Sequence, residues 1–248
     1  MKKLACCSTA KNAMKEHRRT GWCDKTMCSN FDGLLDPIRF ADTFGTAMPS
    51  GGRGSVWPAY PSSFVLQDKA SRQRTARVGK FGMVPQWAAN DAKYAKLGLK
   101  TYNARVETVA EKPSYRDAWR QALHCIAPAE AIYEPDWRSG KAVPARVARA
   151  DGQPMGIAGL WTQTVDSDGV IGYSFTMLTI NADGHAVFQN FHRPADEKRM
   201  VVMLQPTQFD DWLHATAKDS MAFMQRLPAE ELAVSYANKP KPNQASVL

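Results

Sequence analysis

Four strand-like segments follow one another in the middle of the chain: "HCIAPAEAIYE" from residue 124, "VPARVARA" from 143, "GIAGLWT" from 156 and "YSFTMLTINA" from 173. They are rich in β-branched and aromatic residues, are bounded by turn formers, and have no helical pattern between them. Two more, "SSFVLQD" and "ARVGKFGMVP", flank a basic turn, "KASRQR". Lacking βαβ alternation, such a chain is expected to fold as α+β on a mainly antiparallel sheet. The helical patterns are short. "LLDPIRFADTF" (34–44) spaces Leu35, Ile38 and Phe44 on one face, and "SYRDAWRQAL" opens with a Ser114/Asp117 capping box. "PTQFDDWLHA" opens with Pro206 and a Thr207/Asp210 box, and a further helix is expected near "SMAFMQRL".

A length of 248 residues suffices for one large domain or two small ones. Residues 1–26 differ in composition from the rest and read as an unstructured leader, with a folded domain over 27–236. The Pro-broken stretch 237–248 reads as a flexible tail. The leader has the basic start of a signal peptide but no apolar stretch of about seven residues or more, so "LACC" is not a lipoprotein box. No apolar run approaches the roughly 18 residues of a spanning helix. The expected location is the cytoplasm, and the expected state a monomer.

The net charge of +8 points to a polyanionic partner, but its location weakens the inference. The leader holds seven Lys or Arg against Glu16 and Asp24, so five of the eight net charges lie there and three remain for the rest. Five cysteines, Cys6, Cys7, Cys23, Cys28 and Cys125, form no CxxC pair. Neither a disulfide framework nor a zinc site is expected, and no cofactor.

Four places carry polar groups where the pattern predicts core or strand ends: Cys28, the run "YNARVET", Glu134 at the end of an apolar strand, and "NFHRPADEKRM". Singly each has an ordinary explanation: a packed thiol, a turn with an ion pair, a strand cap, a loop histidine, and a solvated face for "ADEKR". Together, Cys28, Asn103, Glu134 and His192 are a nucleophile, a polar orienter and two proton-transfer groups.

In order and context, "MCSN", "FGMVPQW", "NARVET", "CIAPAEAIYE" and "FTMLTINADG…FHRPADEKRM" resemble the successive motifs of the SOS-response-associated peptidase (SRAP) family. The resemblance runs from Met27 to about Leu204. It implies a barrel-like sheet with short peripheral helices and a protein that senses abasic sites in single-stranded DNA and crosslinks to them. It makes Cys28 the nucleophile once Met27 is removed, Asn103 and Glu134 an active-site pair, and His192 an acid/base. By the same matching Arg105, Thr179, Trp87 and Pro61 touch the DNA backbone or wedge between bases. Asn30 stands where many members carry an Arg, which puts one phosphate contact in doubt.

That chemistry needs a free Cys28. An α-amine has a pKa of about 7.7–8.0 and a lysine about 10.4, so far more of the former is neutral at pH 7. The neutral amine attacks the aldehyde of an opened abasic sugar, and the neighbouring thiol closes a thiazolidine ring, an intramolecular step. With residues 1–27 attached that nitrogen is an amide. The expectation is therefore a true start at Met27, the alternatives being removal of the leader or a long chain that is inactive. Two other readings stand: a cysteine peptidase that cuts the Met27–Cys28 bond in its own chain, and a non-covalent single-strand-binding module.

Overall fold

The computed structural model describes residues 29–236; the expected leader, Cys28 and the expected tail lie outside the described residues. The chain opens with β1 (Asn30–Gly33) and α1 (Pro37–Phe44). Asp36 caps α1, accepting from the N–H groups of Ile38 and Arg39, Pro37 fills the first turn, and Gly45 closes the helix at φ 67°. Its buried face is not the one the spacing suggested. Phe40 and Phe44 are in the core, whereas Ile38 is 71% exposed and Leu35 lies before the cap. A helix that begins at Pro37 turns its 40/44 pair inward.

After β2 (Ser55–Val56), β3 (Pro61–Gln67) and β4 (Arg74–Phe81) form a hairpin around the basic turn, in register from Pro61 opposite Lys80 to Gln67 opposite Arg74. β4 stops short of the expected "GMVP" because Gly82 bends the chain at φ 126°, where a Cβ would lie 2.0 Å from the Gly98 carbonyl oxygen. α2 (Gln86–Ala89) and two 3-10 turns lead to β5 (Asn103–Arg105) and α3 (Arg116–Arg120). The Ser114/Asp117 box does not form: Tyr115 and Arg116 both donate to the Lys112 carbonyl, so the preceding turn already supplies their acceptor.

The four consecutive strands are β6 (His124–Asp136), β7 (Val143–Arg149), β8 (Met155–Val165) and β9 (Ile171–Asn181). β10 (Arg199–Val201), β11 (Met203–Leu204), α4 (Phe209–His214) and β12 (Leu232–Tyr236) complete the chain. The capping box before α4 is Gln205 with Gln208, one pair upstream of Thr207/Asp210, and "SMAFMQRL" contributes a 3-10 turn (Ser220–Phe223) rather than an α-helix.

Five strands close on themselves: β6 pairs with β8, β8 with β9, β9 with β4, β4 with β3, and β3 with β6. All these joins are antiparallel except β4 with β9; β5 adds a second parallel pairing along β9. The fold is thus α+β, a mainly antiparallel barrel with short peripheral helices. Phe64 and Phe81 pack against Phe175 at centroid distances of 5.4 and 5.5 Å, and Phe31 meets Phe81 edge-on at 5.1 Å. α4 covers β6, where the Trp212 indole donates to the Cys125 carbonyl at 2.9 Å. Gly156 leaves room for Phe209, whose ring would stand 2.4 Å from a Cβ there.

β6 serves twice. Residues 124–129 lie in the barrel against β8, whereas 132–136 pair with β7. Between them the register against β1 shifts at Asp32/Gly33, a bulge that lets the strand leave the barrel. Its far half joins a second, open sheet with β2, β1, β7 and β12. Among the described residues, no helix is long and apolar enough to cross a membrane.

Candidate active site

The departing end of β6 carries Glu134, which is buried to 1% exposure. Opposite it stands His192, also buried, with Nε2 3.0 Å from Glu134 Oε2. A loop histidine reaches this place because its loop is fastened to the strand. Phe191 forms a bridge to Asp136, and the His192 N–H donates to the Pro135 carbonyl at 2.8 Å. Lys198 gathers the loop's carbonyls, donating to Phe191 at 2.9 Å and Arg193 at 2.7 Å. His192 adopts φ 60°, a left-handed conformation that a non-glycine residue takes only where its surroundings hold it. Burial disfavours the imidazolium, but the hydrogen bond to Glu134 and its charge outweigh burial and hold the His192 pKa above its ordinary value. The pair sets an imidazole and a carboxyl group within proton-transfer distance of each other.

Asp136 secures the same strand end from outside. Its buried carboxylate accepts from the Arg138 N–H at 2.9 Å, the Arg138 guanidinium at 2.6 Å and the Tyr236 hydroxyl at 2.7 Å. These contacts keep its pKa below the ordinary value although burial pushes upward. Tyr236 belongs to β12, so the last described strand reaches back to the segment next to Glu134.

Asn103 lies on β5, opposite Met177 of β9, and its carbonyl accepts from the Tyr115 hydroxyl at 3.1 Å. Its side-chain oxygen is buried. Arg105, two residues on, is half-exposed and pairs with Glu197 at 2.8 Å. Trp87 is exposed and meets Tyr94 edge-on, and Pro61 begins β3 opposite Lys80. Two expected DNA contacts are placed inward. Thr179 is 1% exposed, its hydroxyl donating to the Ala104 carbonyl, and Asn30 is buried with its amide donating to the Val56 carbonyl at 3.0 Å. The structure therefore brings Glu134 and His192 together, sets Arg105 on the surface over Thr179, and spends Asn30 on joining β1 to β2.

One polar group was missed. "ADEKR" reads as a solvated face, yet Arg199 is 1% exposed and bonds Glu107, Glu197 and the Thr179 carbonyl. The only hint was its place at the head of the apolar run "MVVML".

The model of the family described as SOS response associated peptidase (SRAP) matches residues 27–239. The chain belongs to the SRAP family. Among its relatives, the abasic site processing protein YoqW of Bacillus subtilis is 26% identical over 233 residues, covering 90% of this chain and 96% of that protein. The abasic site processing protein YoaM of the same organism is 27% identical over 239 residues, covering 90% and 95%. A crystal structure of a Bordetella bronchiseptica protein superposes with a TM-score of 0.79 at 41% identity, covering 86% of this chain and all of that one. A Bacteroides thetaiotaomicron structure, at 17% identity and a TM-score of 0.74, shares the fold. The SRAP match begins at Met27, immediately before Cys28, and leaves out residues 1–26.

Proposed function

We propose that this SRAP protein recognises abasic sites in single-stranded DNA and joins them covalently through Cys28 as its N-terminal residue. One observation carries the reading: a buried Glu134–His192 pair, 3.0 Å apart, beside the strand that leads to Cys28. Asn30 lies opposite Tyr133, the neighbour of Glu134, and Cys28 precedes Asn30 by two residues in the sequence. Relatives that share nine-tenths of the chain are named abasic site processing proteins.

The steps follow from the groups present. His192, its pKa raised by Glu134, gives a proton to the ring oxygen of the abasic sugar while the anomeric hydroxyl releases its own proton to water, and the ring opens to the aldehyde. Glu134 takes a proton from the α-ammonium of Cys28. The free amine adds to the aldehyde carbon, water leaves, and the thiol adds across the resulting imine, its proton passing to nitrogen. The products are a thiazolidine and one water. Asn103 orients the amine or sugar hydroxyl without titrating, Arg105 takes a phosphate, and Trp87 and Pro61 meet bases. Thr179 and Asn30, both buried, act from beneath by holding β9 and β1.

The test uses two forms of the chain, one starting at Met1 and one at Met27. The second is expected to lose its methionine and form a heat-stable adduct with single-stranded abasic DNA, far less with duplex, and none after Cys28→Ala. The first, with its amide nitrogen, is expected to form none. An intact long form that still gives a stable adduct would overturn the mechanism. Loss of residues 1–27 from pure protein, abolished by Cys28→Ala, would instead favour self-cleavage.

A further inference from the structure

Glu197 bridges two guanidinium groups. Its Oε2 lies 2.8 Å from Nη2 of Arg105, and its Oε1 accepts from Nη1 of Arg199 at 2.7 Å. The two arginines differ in access: the Arg105 side chain is 51% exposed and that of Arg199 is 1% exposed. On its other side Arg199 is anchored by both carboxylate oxygens of Glu107, at 3.0 and 2.8 Å, and by the Thr179 carbonyl at 2.7 Å. Two arginines and two glutamates sum to no net charge, so this cluster presents no positive field to a polyanion. Glu197 itself is 37% exposed, and solvent reaches the bridge.

A carboxylate held between a surface guanidinium and a buried one has the attributes of a bound phosphodiester: one negative charge, two acceptor oxygens, and donors in planar forks. We propose that Glu197 is a built-in substitute for a backbone phosphate, displaced when a single strand docks and one of its phosphates moves between Arg105 and Arg199. The proposal rests on the strand-binding reading above and adds the group that regulates it. Burial raises the Glu197 pKa, but its contacts with Arg199 and Arg105 outweigh that and hold it below the ordinary value. At neutral pH the exchange is thus one anion for another, not a protonation. Glu107 plays the opposite part. With bonds to both guanidinium nitrogens of Arg199, it keeps that group in place while the Glu197 contact changes.

The test is Glu197→Gln, with binding to intact oligothymidylate followed by fluorescence anisotropy across a salt series. The variant keeps the shape of the bridge and loses its charge. It is expected to bind on the order of tenfold tighter at low salt. Its log Kd against log salt is expected to steepen by about 0.7, because in the parent the displaced Glu197 carboxylate takes up one cation and offsets the counterion released by that phosphate. Unchanged or weaker binding by a folded variant would overturn the exchange. If Glu197→Gln does not fold, Glu197→Asp, which shortens the bridge by one methylene, is expected to bind tighter than the parent by a smaller factor; no gain would again overturn it. The two readings separate on abasic DNA. Adducts from parent and variant with equal strand affinity sink the exchange alone. Tighter strand binding by the variant with no adduct from either protein leaves the exchange standing and removes the crosslinking reading.

Discussion

A buried histidine stands at each end of β6, His124 in the strand itself and His192 in the loop bridged to it, and the two are driven in opposite directions. At its start His124 stacks on Trp212 with ring centroids 3.9 Å apart, and its Nε2 lies 2.9 Å from the Ser220 hydroxyl. That hydroxyl donates to the Thr216 carbonyl, so His124 Nε2 is the donor to Ser220. Its Nδ1 is buried with no hydrogen-bond partner, and a proton there would have nothing to bond. Burial accordingly takes the His124 pKa down to about 4, with only a partial offset from the Trp212 backbone. At the other end His192 is buried to a similar degree, but a carboxylate 3.0 Å away reverses the outcome. Burial alone favours the neutral imidazole; burial beside a carboxylate raises the ring's proton affinity instead. One strand links a histidine packed in the barrel to a histidine paired with a carboxylate where the strand leaves it.

The contrast can be broken most directly at Glu134. Glu134→Gln is expected to slow adduct formation by roughly 10²–10⁴ and to drop the His192 pKa below its ordinary value, as burial and the charge of Lys198 then outweigh the charge of Asp196. Imidazole titration by NMR checks the second part, and a His192 that still titrates high would mean that another group sets its charge.

Next in size is the acid limb of stability. Between its ordinary value of 6.5 and about 4, His124 is protonated when unfolded and neutral when folded. The unfolded state binds more protons there, so stability is full above pH 6.5 and falls as pH drops toward 4, by on the order of 3 kcal/mol. His192 has the opposite sign: its contribution is full below 6.5 and is lost as pH rises through its raised pKa. Urea unfolding of His124→Phe, which retains an aromatic ring against Trp212, is expected to show a flattened slope from pH 6.5 to 4. An undiminished slope would move the acid sensitivity to other groups.

Smaller still is Trp212→Phe. It removes the indole donor from the Cys125 carbonyl and is expected to cost about 1–3 kcal/mol at pH 7 by thermal or urea unfolding, with adduct formation unchanged. The least effect belongs to the far end. Tyr236→Phe deletes one bond to Asp136 and is expected to cost about 1 kcal/mol in the same assay. A large loss of adduct rate in Tyr236→Phe would show that β12 positions Glu134 rather than merely bracing its strand.

Most of the strands were legible because a strand writes its signal locally, in alternation and turn residues. The hairpin of β3 and β4 and the run from β6 to β9 lie where the pattern put them. Caps were less legible. Ser114/Asp117 and Thr207/Asp210 have the right spacing, but α3 starts with no side-chain cap, its first N–H groups turned to the Lys112 carbonyl, and the box near α4 is Gln205 with Gln208. The parallel pairings of β9 with β4 and β5 left no mark, since a partner strand is chosen by closure of the whole sheet.

For the site, the sequence by itself determined the inventory: a cysteine after a methionine, a carboxylate ending an apolar strand, a histidine in a polar loop, and an arginine two residues after an asparagine. Those are choices of functional group, and they can be read one residue at a time. Tertiary structure decided which groups meet and in which charge state. The β6 bulge carries Glu134 out of the barrel, and the Phe191–Asp136 bridge brings His192 to it. The folding of β10 along β9 buries Arg199 under Glu197. Distance and burial set the electrostatic energy of a pair, and neither is a property of any local stretch of chain.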